Sequence, residues 1–253
     1  MTDASQAAAR PNAAVLPVAR VLLERTDWAA LEHALGPAAD IPGALRQLID
    51  DDVAVRARAF SVLQLINHQN SIYSATAPAA LYIAATLPDP RVAATINVSY
   101  HGGQSSRPMR AVLLDWLGDM AGDVGDEAAV SALGRGFRMD SQPEIVALRV
   151  ARPAIFRAVA AFLEDDNLDV RQAAITAAAQ LVDAPALLHR RAALAAPLRV
   201  LLATSSSRYH RVRTKQALLS WGEDPVTLTE FVNPAECTGA DPLSCCQEPE
   251  PPF

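Results

Sequence analysis

The sequence predicts an all-α fold, an α-solenoid of stacked antiparallel helical hairpins. Two stretches far apart repeat one pattern: Asp51-Asp52-Val53-Ala54-Val55-Arg56-Ala57-Arg58-Ala59-Phe60 aligns with Asp166-Asn167-Leu168-Asp169-Val170-Arg171-Gln172-Ala173-Ala174-Ile175. An acidic turn, then Val-Arg, then small and large apolar residues is how a repeated helix begins. A hairpin that cannot bury its apolar face alone must stack on its neighbours. Composition agrees, because about a fifth of the 253 residues are Ala, the strongest helix former. Aromatics are only 5% of the chain, and β-branched residues are read as forming no alternating runs, so no strand is expected.

Residues 1–12 read as a disordered lead, and a helical body follows over 13–221. Ala13–Arg25 is apolar at helical spacing and suits an end cap of the stack. Asp27 is a plausible N-cap for a helix opening Trp28-Ala29-Ala30-Leu31 and stopped by Gly36-Pro37. From there helices come in pairs. Ile41–Ile49 starts with Pro42 in its first turn, where a missing N–H is harmless. Asp50-Asp51-Asp52 makes the turn into a helix over Val53–His68, with Val55, Ala59, Val62 and Ile66 on one face.

The segment Asn67–Thr76 is polar and reads as a long loop between repeats. A helix over Pro78–Leu87 ends at Pro88-Asp89-Pro90, a short helix is expected from Arg91 to Asn97, and His101-Gly102-Gly103 reads as loop. Pro108–Ala121 opens with Arg110, an echo of the Val-Arg start. Asp126–Phe137 and Glu144–Arg152 form a further pair. Pro153–Leu163 and Leu168–Val182 make the clearest one, with Asp165-Asp166-Asn167 between them. The last pair is Leu187–Leu202 with Arg211–Trp221, where Val212-Arg213 is the expected echo of the motif.

The acidic turns and Val-Arg helix openings resemble the HEAT-repeat family over roughly residues 40–221. Trp28, Leu31-Glu32-His33-Ala34-Leu35-Gly36, Asp40-Ile41-Pro42 and Asn67–Thr76 resemble, more narrowly, a group of HEAT-repeat proteins from high-GC bacteria. The resemblance implies a non-catalytic scaffold whose concave helical surface takes a protein or peptide, as an adaptor or an immunity-type protein does. It implies no cofactor.

Charge narrows the classes. Seven of the 28 acids follow Trp221 and no Lys or Arg does, so the body is near neutral and the stretch 222–253 is an acidic tail, expected to be mostly disordered. A general nucleic-acid binder would carry a basic body, so a nucleic-acid partner is not expected. No apolar run is long enough for a membrane span, no signal peptide is apparent, and the three Cys are confined to the tail. A cytoplasmic location follows as the expectation. The five His show no metal-ligand spacing, and no nucleophile elbow appears, so no metal, cofactor or catalytic residue is assigned.

Candidate partner-binding residues fall in two groups. Arg58, Gln64 and His68 line the helix face opposite the core, and Gln69 and Tyr73 lie in the polar segment beyond it. A solvated face and helix-capping polar residues give the same pattern. Arg208, Tyr209, Arg211 and Arg213 form the densest basic cluster, which could meet an acidic partner, phosphates, or the acidic tail of the same chain. The competing reading is a HEAT-like DNA glycosylase, for which Asp115-Trp116 and Trp221 are the suggestive residues.

Overall fold

The computed structural model describes residues 19–100 and 103–232, and among these the chain is mostly helical. The helices are α1 (Ala19–Arg25), α2 (Ile41–Gln47), α3 (Val53–Leu63), α4 (Thr76–Thr86), α5 (Met109–Asp123), α6 (Asp126–Gly134), α7 (Pro143–Ala160), α8 (Leu168–Leu181), α9 (Arg191–Thr204) and α10 (Arg208–Ser220). Three antiparallel hairpins interrupt them: β1 (Glu32–His33) with β2 (Gly36–Pro37), β3 (Asn67–His68) with β4 (Ser71–Ile72), and β5 (Thr95–Tyr100) with β6 (Gly103–Pro108). The chain divides into two compact units, one ending at Leu194 and one beginning at Ala195. The disordered lead expected over 1–12 and the tail beyond 232 lie outside the described residues.

Three helix starts share one hydrogen-bond pattern. Ahead of α3 the Asp50 carboxylate accepts the Asp52 N–H, Asp52 accepts the Ala54 N–H, and Arg56 donates back to the Asp50 carbonyl. Ahead of α8, Asp165 accepts from Asn167, Asn167 accepts from Asp169 and Val170, and Arg171 returns to the Asp165 carbonyl. Ahead of α10, Ser205 accepts from Ser207, Ser207 from His210, and Arg211 returns to the Ser205 carbonyl. The side-chain oxygens satisfy donors that every helix leaves open in its first turn. An Arg in that turn opposes its own helix dipole, but aimed at the carbonyls of the preceding turn its charge is stabilised. The third copy uses Arg211, not Arg213.

Arg110 follows the same logic by another route. Its Nε donates to the Leu87 carbonyl at 2.8 Å and its Nη2 to that of Asp89 at 3.2 Å, so it too holds the end of the preceding helix, α4. Between Asp89 and Arg110 lies the β5–β6 hairpin, inserted into what is otherwise a helix-to-helix turn. In the first unit α5 packs most extensively on α8, α4 on α7, α7 on α8, α2 on α3 and α1 on α4. Residues 111–121 of α5 are all buried, so this helix is the centre of the core.

Several elements depart from the sequence expectation. Thr95-Ile96-Asn97-Val98-Ser99 alternates exposed and buried along β5, so a strand stands where a short helix was expected, and Gly103 begins β6 instead of sitting in a loop. Six residues at period two were too few to stand out beside the helical signal. The helix expected over Val53–His68 ends at Leu63, and Asn67–Ile72 is a tight hairpin whose two turn residues have positive φ, Gln69 at 54° and Asn70 at 59°. That turn favours Gly, whose absence hid it. Trp28 opens only a single 3-10 turn, after which β1 and β2 pair around Ala34-Leu35. Glu144–Arg152 and Pro153–Leu163 are one helix, α7, with Pro153 in its interior, where it supplies no N–H to the Arg149 carbonyl.

Tyr82 on α4 is buried, and that burial pushes its phenol up to about 12 from 10.0. A raised pKa favours the neutral form, so its stability contribution is complete below the unfolded value near 10 and is lost as pH rises toward 12. Denaturant midpoints are expected to fall through this window, and Tyr82→Phe is expected to flatten the fall.

Candidate functional site

Helix α5 reads Met109-Arg110-Ala111-Val112-Leu113-Leu114-Asp115-Trp116-Leu117-Gly118-Asp119-Met120-Ala121-Gly122-Asp123. Its three Asp recur every four residues, which places them in a row along one side. A carboxylate inside a helical core demands a compensating donor. Each Asp has one, and each donor comes from a hairpin. Arg107 on β6 meets Asp115, Nη1 to Oδ2 at 2.6 Å, with the Asp115 side chain fully buried. The Tyr100 hydroxyl at the end of β5 donates to Asp119 at 2.7 Å. Asn67 at the start of β3 donates through Nδ2 to Asp123 at 2.8 Å.

The register explains how one hairpin reaches two acids. Ile96 and Val98 point into the core from β5. Arg107 pairs across from Ile96 and therefore leaves the same face of the ribbon. The Phe60 ring of α3 stands edge-on to Tyr100 at 5.2 Å, closing the apolar side of the Tyr100–Asp119 contact. The opposite face of β5 presents Thr95, Asn97 and Ser99 to solvent, joined by Ser106 across from Asn97. The β3–β4 hairpin is fixed from behind as well: the buried Thr76 hydroxyl donates to the Ile66 carbonyl at 2.7 Å and accepts the Tyr73 N–H at 3.0 Å.

Of the sequence-derived candidates, Arg58 on α3, Gln64 just past its end, His68 on β3 and Gln69 in the turn are exposed, and Tyr73 is half-buried between β4 and α4. The second group lies in the second unit and is turned largely toward its own chain. Arg211 is buried beneath Glu230 and the Phe231 ring, and Lys215 meets Glu230 at 3.2 Å. Arg213 stacks on Tyr209 at 6.0 Å, while Arg208 is exposed. Residues 222–232 form a segment tied to both α9 and α10. Glu223 pairs with Arg199 of α9, and the Phe231 N–H donates to the Leu202 carbonyl at 2.9 Å.

Asp115 and Trp116, the residues behind the glycosylase reading, are both buried, 1% exposed each. Among the described residues no group of three or more His, Cys, Asp or Glu converges to hold a metal, and no helix is long and apolar enough to cross a membrane. Asp119 and Asp123 escaped the sequence reading, although three Asp at four-residue spacing in an apolar helix were the signal that could have found them.

No family model, curated protein or solved structure matches this chain.

Proposed function

We propose that the chain is a non-catalytic binding scaffold, a HEAT-like α-solenoid that presents the α3 strip and its neighbouring hairpins to a protein or peptide partner. The observation that carries this reading is the engagement of the α5 acids. Asp115, Asp119 and Asp123 each hold a hairpin in place. Insertions in a repeat stack are where binding surfaces commonly form, and polar side chains on a rigid support bind with little ordering cost. The packing of α4 on α7 and of α5 on α8 supports stacked hairpins, with first helices in one layer and second helices in the other. A DNA glycosylase would need an acid facing a groove, and the burial of Asp115 against Arg107 favours binding over catalysis.

Capture of a partner from the native host tests this. A bait carrying Arg58→Glu with His68→Glu is expected to lose the protein that the unaltered chain retains, while Glu164→Arg, in the exposed turn before α8, retains it. Equal capture by all three baits would remove the strip from the proposal, and multiple turnover of a damaged-base oligonucleotide would replace binding with catalysis.

A further inference from the structure

Arg211 is a buried cation, 2% exposed, and a buried cation demands compensating groups. From within, its Nη1 donates to the Ser205 carbonyl at 2.9 Å, which fixes the guanidinium in place. From outside, it is covered by the chain's own continuation past α10. The Glu230 carboxylate lies 3.8 Å from Nε, and the Phe231 ring centre is 5.6 Å from the guanidinium carbon. The same carboxylate meets Lys215 at 3.2 Å, one turn further along α10, and Glu223 meets Arg199 of α9, Oε2 to Nε, at 3.2 Å. The covering segment, residues 222–232, carries Glu223, Asp224 and Glu230 and no Lys or Arg. Segment and surface are therefore complementary in charge.

The segment is nevertheless lightly held. None of its residues is buried, and Val226 and Val232 are 89% and 69% exposed. The Arg199–Glu223 and Lys215–Glu230 pairs reach the surface, where ion pairs stabilise little. An open cavity of about 270 Å³ is left between the segment and α9, lined by Val200, Leu202 and Ala203 on one side and Leu228 on the other. Gly222, at φ 91° and with nothing within 4 Å of an added Cβ, joins the segment to α10 and leaves it room to pivot. The segment thus fills the charged part of this surface and leaves the apolar part empty.

We propose that α9 and α10 form a binding site for a short acidic peptide with an aromatic residue beside its carboxylate, and that residues 222–232 occupy this site in cis as a built-in competitor. Glu230 and Phe231 show what the site recognises: a carboxylate between Arg211 and Lys215, and a ring on the Arg211 guanidinium. A partner peptide with an apolar side chain to place against Val200 and Leu202 gains contacts that the cis segment lacks. The tether gives the cis segment an effective concentration on the order of millimolar, so weak ligands are excluded and a better-fitting one is admitted. No residue of the α3 strip takes part, so failure of this proposal leaves the reading above intact.

Fluorescence polarisation of a labelled peptide corresponding to residues 223–232, titrated with the full-length chain, tests it. The variant Glu223→Lys/Glu230→Lys repels its own segment and is expected to bind the peptide at least about tenfold more tightly than the unaltered chain. Adding Arg199→Glu/Lys215→Glu is expected to remove that binding, and circular dichroism checks that each variant is folded. A second measurement needs no variant. In the unaltered chain the Phe231 amide, bonded to the Leu202 carbonyl, is expected to exchange its hydrogen at least about tenfold faster in about 1 mM peptide, which holds the segment open. Equal affinity for the unaltered and the opened chain, no binding to a folded opened chain, or Phe231 exchange indifferent to the peptide overturns the proposal. So does dimerisation of the unaltered chain that Glu223→Lys/Glu230→Lys abolishes, which would assign the segment to exchange between two copies.

Discussion

Gly118→Leu is expected to destabilise the first unit by about 3 kcal/mol, read as a lower urea midpoint. Gly118 lies where α5 crosses α8, the most extensive helix contact in this unit. A Cβ at this position would stand 3.0 Å from the Ala177 Cα and 3.2 Å from its Cβ. The obstacle is backbone, which no rotamer change removes, so the two central helices must separate. Separation loosens the contacts of Ala173, Ala174, Ala177 and Ala178, all buried on α8. Gly118→Ala sets two effects against each other. Helix propensity gains about 1 kcal/mol and the close approach costs more, so a net loss of about 1 kcal/mol is expected. Gly134→Ala is the steric control: nothing lies within 4 Å of its added Cβ, and at the last residue of α6 a propensity gain smaller than at Gly118 is expected with no cost against it.

Arg107→Met is expected to cost about 3–5 kcal/mol, and Asp115→Leu clearly less. The two partners of this ion pair differ in access to water: the Asp115 side chain is 0% exposed and that of Arg107 is 18% exposed. Remove the acid, and the guanidinium can turn toward solvent. Remove the guanidinium, and a buried carboxylate has lost the cation 2.6 Å away. The double variant Arg107→Met/Asp115→Leu is expected to recover most of the loss, since an apolar pair replaces a buried ionic one at little net penalty. Urea titration of the two single variants and the double closes the cycle. A strictly additive double variant would mean that the two residues do not act as a pair.

What the sequence revealed and what it concealed separate along physical lines. Arg56 and Arg171 were legible because the side chains around them are of one kind: Asp or Asn accepts the turn amides, and Val precedes the Arg. Arg211 was missed because Ser205 and Ser207 accept the same amides with hydroxyls, so the chemistry is retained while the letters change. The two copies of the turn bond were visible and the third was not, although all three close on a carbonyl six residues back. Pro153 misled because proline suits a first helical turn, and only neighbouring structure reveals that it sits inside α7. The hairpins were concealed for a tertiary reason. Thr95–Tyr100 is a strand because Tyr100 and Arg107 are held by acids on α5, and a local window does not contain that partner. Periodicity placed Arg58, Gln64 and His68 on one helix face, but the helix ends at Leu63 and His68 lies on β3, so of these three only Arg58 sits on the helix that the reading assumed. The buried Arg211 shows the limit of that approach, since a basic run by itself does not reveal which of its members the fold has already paired.

The claim on which the rest depends is that the α5 carboxylates exist to hold the hairpins. Hydrogen exchange of the full-length chain with Tyr100→Phe tests it directly, since the substitution removes one hydroxyl and leaves the Phe60 ring contact in place. The expected result is exchange of the β5 amides faster by roughly tenfold or more, with the amides of α8 unchanged. Unaltered exchange along β5, or acceleration spread evenly through α5, α7 and α8, would contradict it.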